Sequence, residues 1–220
     1  MPVHLIRELD RIKKDVLKMG TLVEETIEKA TRSVIEPNKS LAEAVMKGDN
    51  VIDELEIDIE EECLKALALY QPVAIDLRYI IAVMKINSDL ERMGDLSFNI
   101  ARRAISITPT DRIDFRFNPA EFVATVRGMV HDSLKALVEN DAQLARKVIA
   151  IDDKVDEVKK QTSDWAAAAI AADPSQTGPI MRNLSFVRNM ERISDLATNI
   201  AEDVIYLVEG KIVRHQMGGD

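Results

Sequence analysis

ERMGDLSFNIA, from Glu91 to Ala101, returns one hundred residues later as ERISDLATNIA, from Glu191 to Ala201, with seven of eleven positions identical. Each copy spaces Glu, Asp and Asn four residues apart, which stacks them along one face of a helix. Around the second copy Phe186, Met190, Ile193, Ala197, Ile200, Val204 and Leu207 form an apolar seam on the opposite face, at the period of an amphipathic helix. Like charges one turn apart cost a helix about 0.2–0.5 kcal/mol per pair. A chain that writes such a stripe twice therefore calls for a reason.

The likeness extends beyond this helix. LAEAVMKGDNVIDEL (Leu41–Leu55) aligns with LARKVIAIDDKVDEV (Leu144–Val158) at an offset of 103, the mark of a duplicated unit. In the first unit, Leu5, Leu9, Ile12, Val16, Met19, Val23, Ile27, Ala30 and Val34 trace one long helix. EPNKS (Glu36–Ser40) interrupts it, with Asn38 placed to cap a second helix striped by Leu41, Val45, Ile52, Leu55, Ile59 and Cys63. YQPV (Tyr70–Val73) turns the chain, Pro72 suiting a first helical turn, and a third helix runs to about Ile107. TPTDRIDFRFNPAE (Thr108–Glu121) lacks a helical period and ends on Asn118 as N-cap, Pro119 at the first helical position and Glu121 at the third. The predicted fold is all-α: two tandem, related three-helix bundles, six long helices in all. The first covers residues 1–109, a linker 110–117, the second bundle 118–213 and a tail 214–220. No alternating β-branched segment predicts a strand.

Composition agrees. Of 220 residues 46% are hydrophobic but only 4% aromatic, which favours helix packed on helix. Charged residues reach 30% and the net charge is −9, so nucleic acid is excluded as a partner, and cations or basic protein patches are favoured. A single cysteine, Cys63, rules out an internal disulfide and reads as a reduced core residue of a cytoplasmic protein. The opening MPVHLIRELD carries charges where a secretion signal would be apolar, and no run approaches the ~18 apolar residues of a membrane span. Direct membrane insertion is not expected.

A second acidic pair accompanies the first in each unit: Asp49 and Asp53 on helix two, matched by Asp152 and Asp156. Helices joined by a short turn run antiparallel, so residues equally distant from the turn are neighbours. From a turn near 70.5, the midpoints of Asp49/Asp53 and Glu91/Asp95 lie about 19.5 and 22.5 residues away. From a turn near 174, those of Asp152/Asp156 and Glu191/Asp195 lie about 20 and 19 away. At ~1.5 Å per residue the two pairs of each unit sit within roughly one turn of each other. Counting angles puts them in an outer groove, off the apolar seams. Gly48 and Gly94 beside the acids, costly inside helices, imply that something approaches closely. Four carboxylates in one groove repel until they take up protons or bind a cation. Oxygen-only ligands suit Mg²⁺, Mn²⁺, Ca²⁺ or iron. The candidate metal ligands are thus Asp49, Asp53, Glu91, Asp95, Asp152, Asp156, Glu191 and Asp195.

Catalytic patterns are missing. His4, His131 and His215 lie three or four residues from none of these acids, which removes the Glu-x-x-His ligation of di-iron bundles. There is no GxxxxGK[ST] nucleotide loop and no GxSxG elbow. His131 reads as a plain helical histidine, with phosphotransfer the sharper alternative. Arg92 and Arg192 read as salt-bridge partners of neighbouring acids. A metal-dependent hydrolase or oxidase working in the acidic grooves is the competing functional class.

The chain resembles the PhoU family of bacterial phosphate-uptake regulators, most densely at EEECLKALALYQPVAIDLR (Glu60–Arg78), KINSDLERMGDL (Lys85–Leu96) and NMERISDLATNI (Asn189–Ile200), and also in its tail RHQMGGD (Arg214–Asp220). The resemblance implies two three-helix bundles whose [E/D]-x-x-x-D motifs hold divalent metal or iron as multinuclear surface clusters. Those motifs fall on the four acidic pairs above; Ser194 stands where the family often has Gly. It further implies a cytoplasmic, non-enzymatic adaptor, a homodimer, peripheral to the inner membrane through its partners. Those partners would be the ATPase subunit of the phosphate ABC transporter and a phosphate sensor histidine kinase, both restrained when phosphate is plentiful.

Overall fold

The computed structural model describes residues 3–105 and 115–211. They form six long α-helices: α1 (Val3–Ile35), α2 (Lys39–Tyr70), α3 (Ala74–Ala104), α4 (Pro119–Glu139), α5 (Ala142–Ala172) and α6 (Thr177–Glu209). A 3-10 turn, Pro174–Gln176, leads into α6, and there is no strand among the described residues. No described helix is long and apolar enough to cross a membrane.

Local chemistry sets the helix ends. Asn38 accepts from the Leu41 N–H, Asn118 from Ala120 and Glu121, and Asp141 from Gln143 and Leu144, each satisfying donors that a helix start leaves open. Pro119 stands at the first helical position as its fixed φ requires. Pro72 does not: α3 begins at Ala74, with Val73 before it. A proline disfavours helical geometry in the residue preceding it. Gln71 accordingly takes a left-handed conformation (φ 46°) and closes α2 through its N–H to the Leu67 carbonyl. Ala74 is also left-handed (φ 50°), so two non-glycine residues hold this reversal. Helix α3 is helical to Ala104; Ile107 lies outside the described residues.

Within each unit three helices pack together, α1 with α2 and α3, and α4 with α5 and α6. The third helices also meet: α3 packs on α6 and α1 on α4. One core therefore runs through both units, built from Ile12, Met19, Ile59, Ile86, Met129 and Met190 among others. Lys85 of α3 reaches the nearly inaccessible carboxylate of Asp203 on α6 at 3.4 Å, an ion pair across the junction. A smaller cluster of Ala166, Ile180 and Leu184, roofed by Trp165, fills the end near the α5–α6 turn.

Of the predicted linker, residues 110–114 lie outside the described residues, as does the tail 214–220 with His215. The described end of the linker packs through aromatic rings. Phe115 meets Phe117 and Phe186 edge-on at 5.4 and 5.5 Å, and Phe117 meets Phe122 at 5.1 Å, spacings at which aromatic edges attract faces.

Candidate metal sites in two acidic grooves

Helices α2 and α3 bring Asp49, Asp53, Glu91 and Asp95 into one groove, as counting from the turn predicts. Burial raises the pKa of Asp49, and the charges of Asp53 and Asp95 raise it further. Glu91 is raised in the same way, by burial first, then by Asp95, Asp53 and Glu56, with Arg92 opposing weakly. Carboxylates on both helices thus feel one another. Glu56, one turn beyond Asp53, belongs to the same field, raised by burial, Glu60 and Asp53.

Helices α5 and α6 repeat the arrangement. Asp152 is raised by burial and by the charges of Asp156 and Glu191, against a downward pull from the hydroxyls of Ser194 and Thr198. Asp195 keeps an exposed edge, yet burial of the rest and the charges of Glu191, Asp152 and Asp156 push it up to about 6. The Ser194 and Thr198 hydroxyls lie close enough to act on the Asp152 charge but not in hydrogen-bond geometry: Ser194 donates to the Glu191 carbonyl, and the buried Oδ1 of Asp152 and Oγ1 of Thr198 make no well-formed hydrogen bond.

Among the described residues, a cation pairs with the acids of the second groove and none pairs with those of the first. Lys159 donates to Glu191 in a close ion pair and lies 3.9 Å from Asp156. Its pKa is raised chiefly by that hydrogen bond to Glu191. At the offset of 103 its counterpart is Glu56. Among the described residues none of Asp49, Asp53, Glu56, Glu91 and Asp95 forms an ion pair within 4.0 Å. Neither Glu56 nor Lys159 was among the expected site residues. The signal was present in the repeat, one turn past the second acid of each pair.

Two expectations need correction, and a third holds with helix packing as its cause. Glu191 does not lie on an outer face: it is only 7% exposed, because α5 and the Lys159 side chain cover it. Gly48 makes room for nothing, its missing Cβ facing open space. Gly94 makes room for Ile52 of α2, whose Cδ1 would stand 3.1 Å from a Cβ there, so the close approach is helix on helix. The second unit holds the smaller Val155 where the first has Ile52, and Ser194 where it has Gly94. Ser194 donates to the Glu191 carbonyl at 2.7 Å.

The ligands are therefore gathered by groove rather than focused on a point. Among the described residues no three His, Cys, Asp or Glu side chains stand close enough together to hold one ion. Holding one requires exposed acids such as Asp53, Asp95 and Asp156 to turn inward. The all-oxygen donor set, its mutual repulsion and the unpartnered Asp152 oxygen fit a hard cation. His131, through Nδ1, pairs with Glu24 at 3.1 Å, well away from both grooves in sequence and on other helices. Arg192 turns from the acids to border a cleft with Arg103, Arg182 and Arg188.

The PhoU domain model matches the chain twice, over residues 16–104 and 120–204. A protein of Aquifex aeolicus named phosphate-specific transport system accessory protein PhoU homolog is 46% identical over 215 residues, covering 97% of both chains. A Thermotoga maritima relative with the same designation, homolog 1, is 36% identical and covers 99% of this chain and 94% of its own. Among solved structures, PhoU from Pseudomonas aeruginosa superimposes with a TM-score of 0.87 at 36% identity, over 93% of this chain and 99% of its own. The phosphate transport system regulatory protein PhoU from Streptococcus pneumoniae does so with a TM-score of 0.87 at 28% identity, over 95% and 99%.

Proposed function

This chain belongs to the PhoU family, and from that premise we propose that it is a metal-binding adaptor that restrains phosphate uptake and phosphate-regulon signalling. The observation that carries the reading is likeness along nearly the full length to proteins named as accessory to phosphate-specific transport. Its partners are the ATPase subunit of the phosphate ABC transporter and a phosphate sensor histidine kinase. It acts as a homodimer in the cytoplasm, reaching the inner membrane only through them. An all-helical, acidic protein whose relatives are named as accessory and regulatory proteins suits that role.

Metal belongs to the proposal through the acidic grooves. Asp49, Asp53, Glu91 and Asp95 would hold an oxygen-liganded divalent ion or iron in one, and Asp152, Asp156, Glu191 and Asp195 in the other. Such an ion supplies positive charge at a place where carboxylates otherwise oppose one another. The acids of each groove come from both helices, so a bound ion would tie α2 to α3 or α5 to α6 and stiffen that pair. Deleting the gene should raise phosphate-regulon expression in high phosphate, measured with a reporter. Unchanged expression would contradict the regulatory role.

A further inference from the structure

We propose that Lys159 is a built-in counter-ion of the second groove and makes the two grooves unequal: the first takes a divalent cation directly, the second only by displacing the lysine. The counter-ion assignment stands on the ion-pair geometry alone, whereas the inequality in metal affinity rests on the metal reading of the grooves given above.

The two units supply an internal control. Helix pairing and four acid positions are common to both, and among the charge differences between α2 and α5 the exchange at position 56 against 159 is the one whose two groups both act on the groove acids. Lys159 is half-buried, pairs with Glu191 and Asp156, and senses Asp195 from across the groove. An ammonium tethered to the groove's own wall competes with an incoming ion at an effective concentration no free monovalent ion reaches. It also covers Glu191, leaving that carboxylate 7% exposed, whereas Glu91 of the first groove is only half-buried. A cation entering the second groove must therefore break an ion pair and uncover a ligand. In the first it meets five carboxylates without an ion pair, and Glu56 adds attraction where Lys159 would add repulsion.

Mn²⁺ titration of the full chain, followed by calorimetry and by the electron paramagnetic signal of the free ion, tests the inequality. Wild type should show a tighter and a weaker class of sites, the tighter one lost in D49A/D53A. Lys159→Met should tighten the weaker class by at least about tenfold, and Lys159→Arg, which keeps the charge, should not. Glu56→Lys should weaken the tighter class by a similar factor. Equal classes in wild type, or a weaker class unmoved by Lys159→Met, overturn the inequality while leaving metal binding intact. Absence of Mn²⁺ binding in every variant overturns the metal reading and the inequality with it. Melting in excess chelator reads the counter-ion assignment separately: Lys159→Met should lower Tm and Glu56→Lys raise it. No loss of Tm in Lys159→Met overturns that assignment.

Discussion

The α2/α3 groove confines five carboxylates with no cation among them, while the α5/α6 groove confines four around an ammonium. Both descend from one sequence unit, and both keep the acids at the same helical positions. Position in a duplicated fold is evidently easier to retain than charge balance. One residue per groove, Glu56 or Lys159, changes a site that must recruit its neutralising charge into one that carries part of it. The residues beneath the acids differ as well: Ile52 faces Gly94 in the first unit, and Val155 and Ser194 hold the matching positions in the second.

The largest effect expected on this comparison is on metal retention. E91A/D95A/E191A/D195A should abolish metal co-purifying with the protein, measured by elemental analysis, while helicity by circular dichroism is kept. Split into halves, E91A/D95A should remove more metal than E191A/D195A. Equal metal content in wild type and the quadruple variant would reduce both grooves to acidic surface.

Acidity should distinguish the grooves next. Asp195, at about 6 in the folded chain against an ordinary 3.8, binds its proton more tightly folded than unfolded. Between those values the folded state holds more protons, so this group's contribution to stability grows as pH falls from about 6 and shrinks as pH rises. Asp49, Glu56, Glu91 and Asp152 act in the same direction. In chelator, lowering pH from 7 to 5 should raise Tm. Asp195→Asn should remove a part of that rise on the order of 2–4 °C, the size of a ~1 kcal/mol effect in a chain of this length. Added Mn²⁺ should reverse the trend, because protons and the ion compete for the same oxygens.

A smaller effect tests the packing exchange. Gly94→Ser alone should cost about 1–2 kcal/mol, since a new Cβ presses on Ile52. Adding Ile52→Val, which alone should cost about 0.5–1.5 kcal/mol, should recover stability by importing the second unit's solution. Urea melts of the single and double variants give the coupling; strict additivity would mean the two positions do not compensate.

Much of this was legible because it is local or periodic. Asn38 and Asn118 cap where the sequence places them, since capping involves only the next few residues. The meeting of Asp49 with Asp95, and of Asp152 with Asp195, follows from arithmetic about a turn. The burial of Glu191 was hidden, because it depends on the side chain of Lys159 crossing from another helix. The shared core was hidden too. The contact of α3 with α6 uses apolar faces that each three-helix unit, read alone, has no need to expose. Gly94 signals a close approach in the sequence, and the approaching group is Ile52 of the neighbouring helix.

The smallest effect expected concerns a site where the units differ without charge. Cys63 is fully buried in the main core, and its counterpart at the offset of 103 is Ala166, buried in the small cluster under Trp165. Burial, with Glu60 and Glu62 adding to it, pushes the Cys63 thiol up to about 12. The thiolate that would react is therefore scarce at neutral pH as well as inaccessible. In the native protein Cys63 should resist iodoacetamide, reacting only once urea opens the core, and mass spectrometry reads both states. Cys63→Ala should cost no more than about 1 kcal/mol, because it deletes one sulfur from a helix position that the second unit already fills with alanine. A loss well above that would mean the first unit's core is packed more tightly around α2 than the second unit's is around α5. The inequality of the grooves would then extend into the apolar layer beneath them.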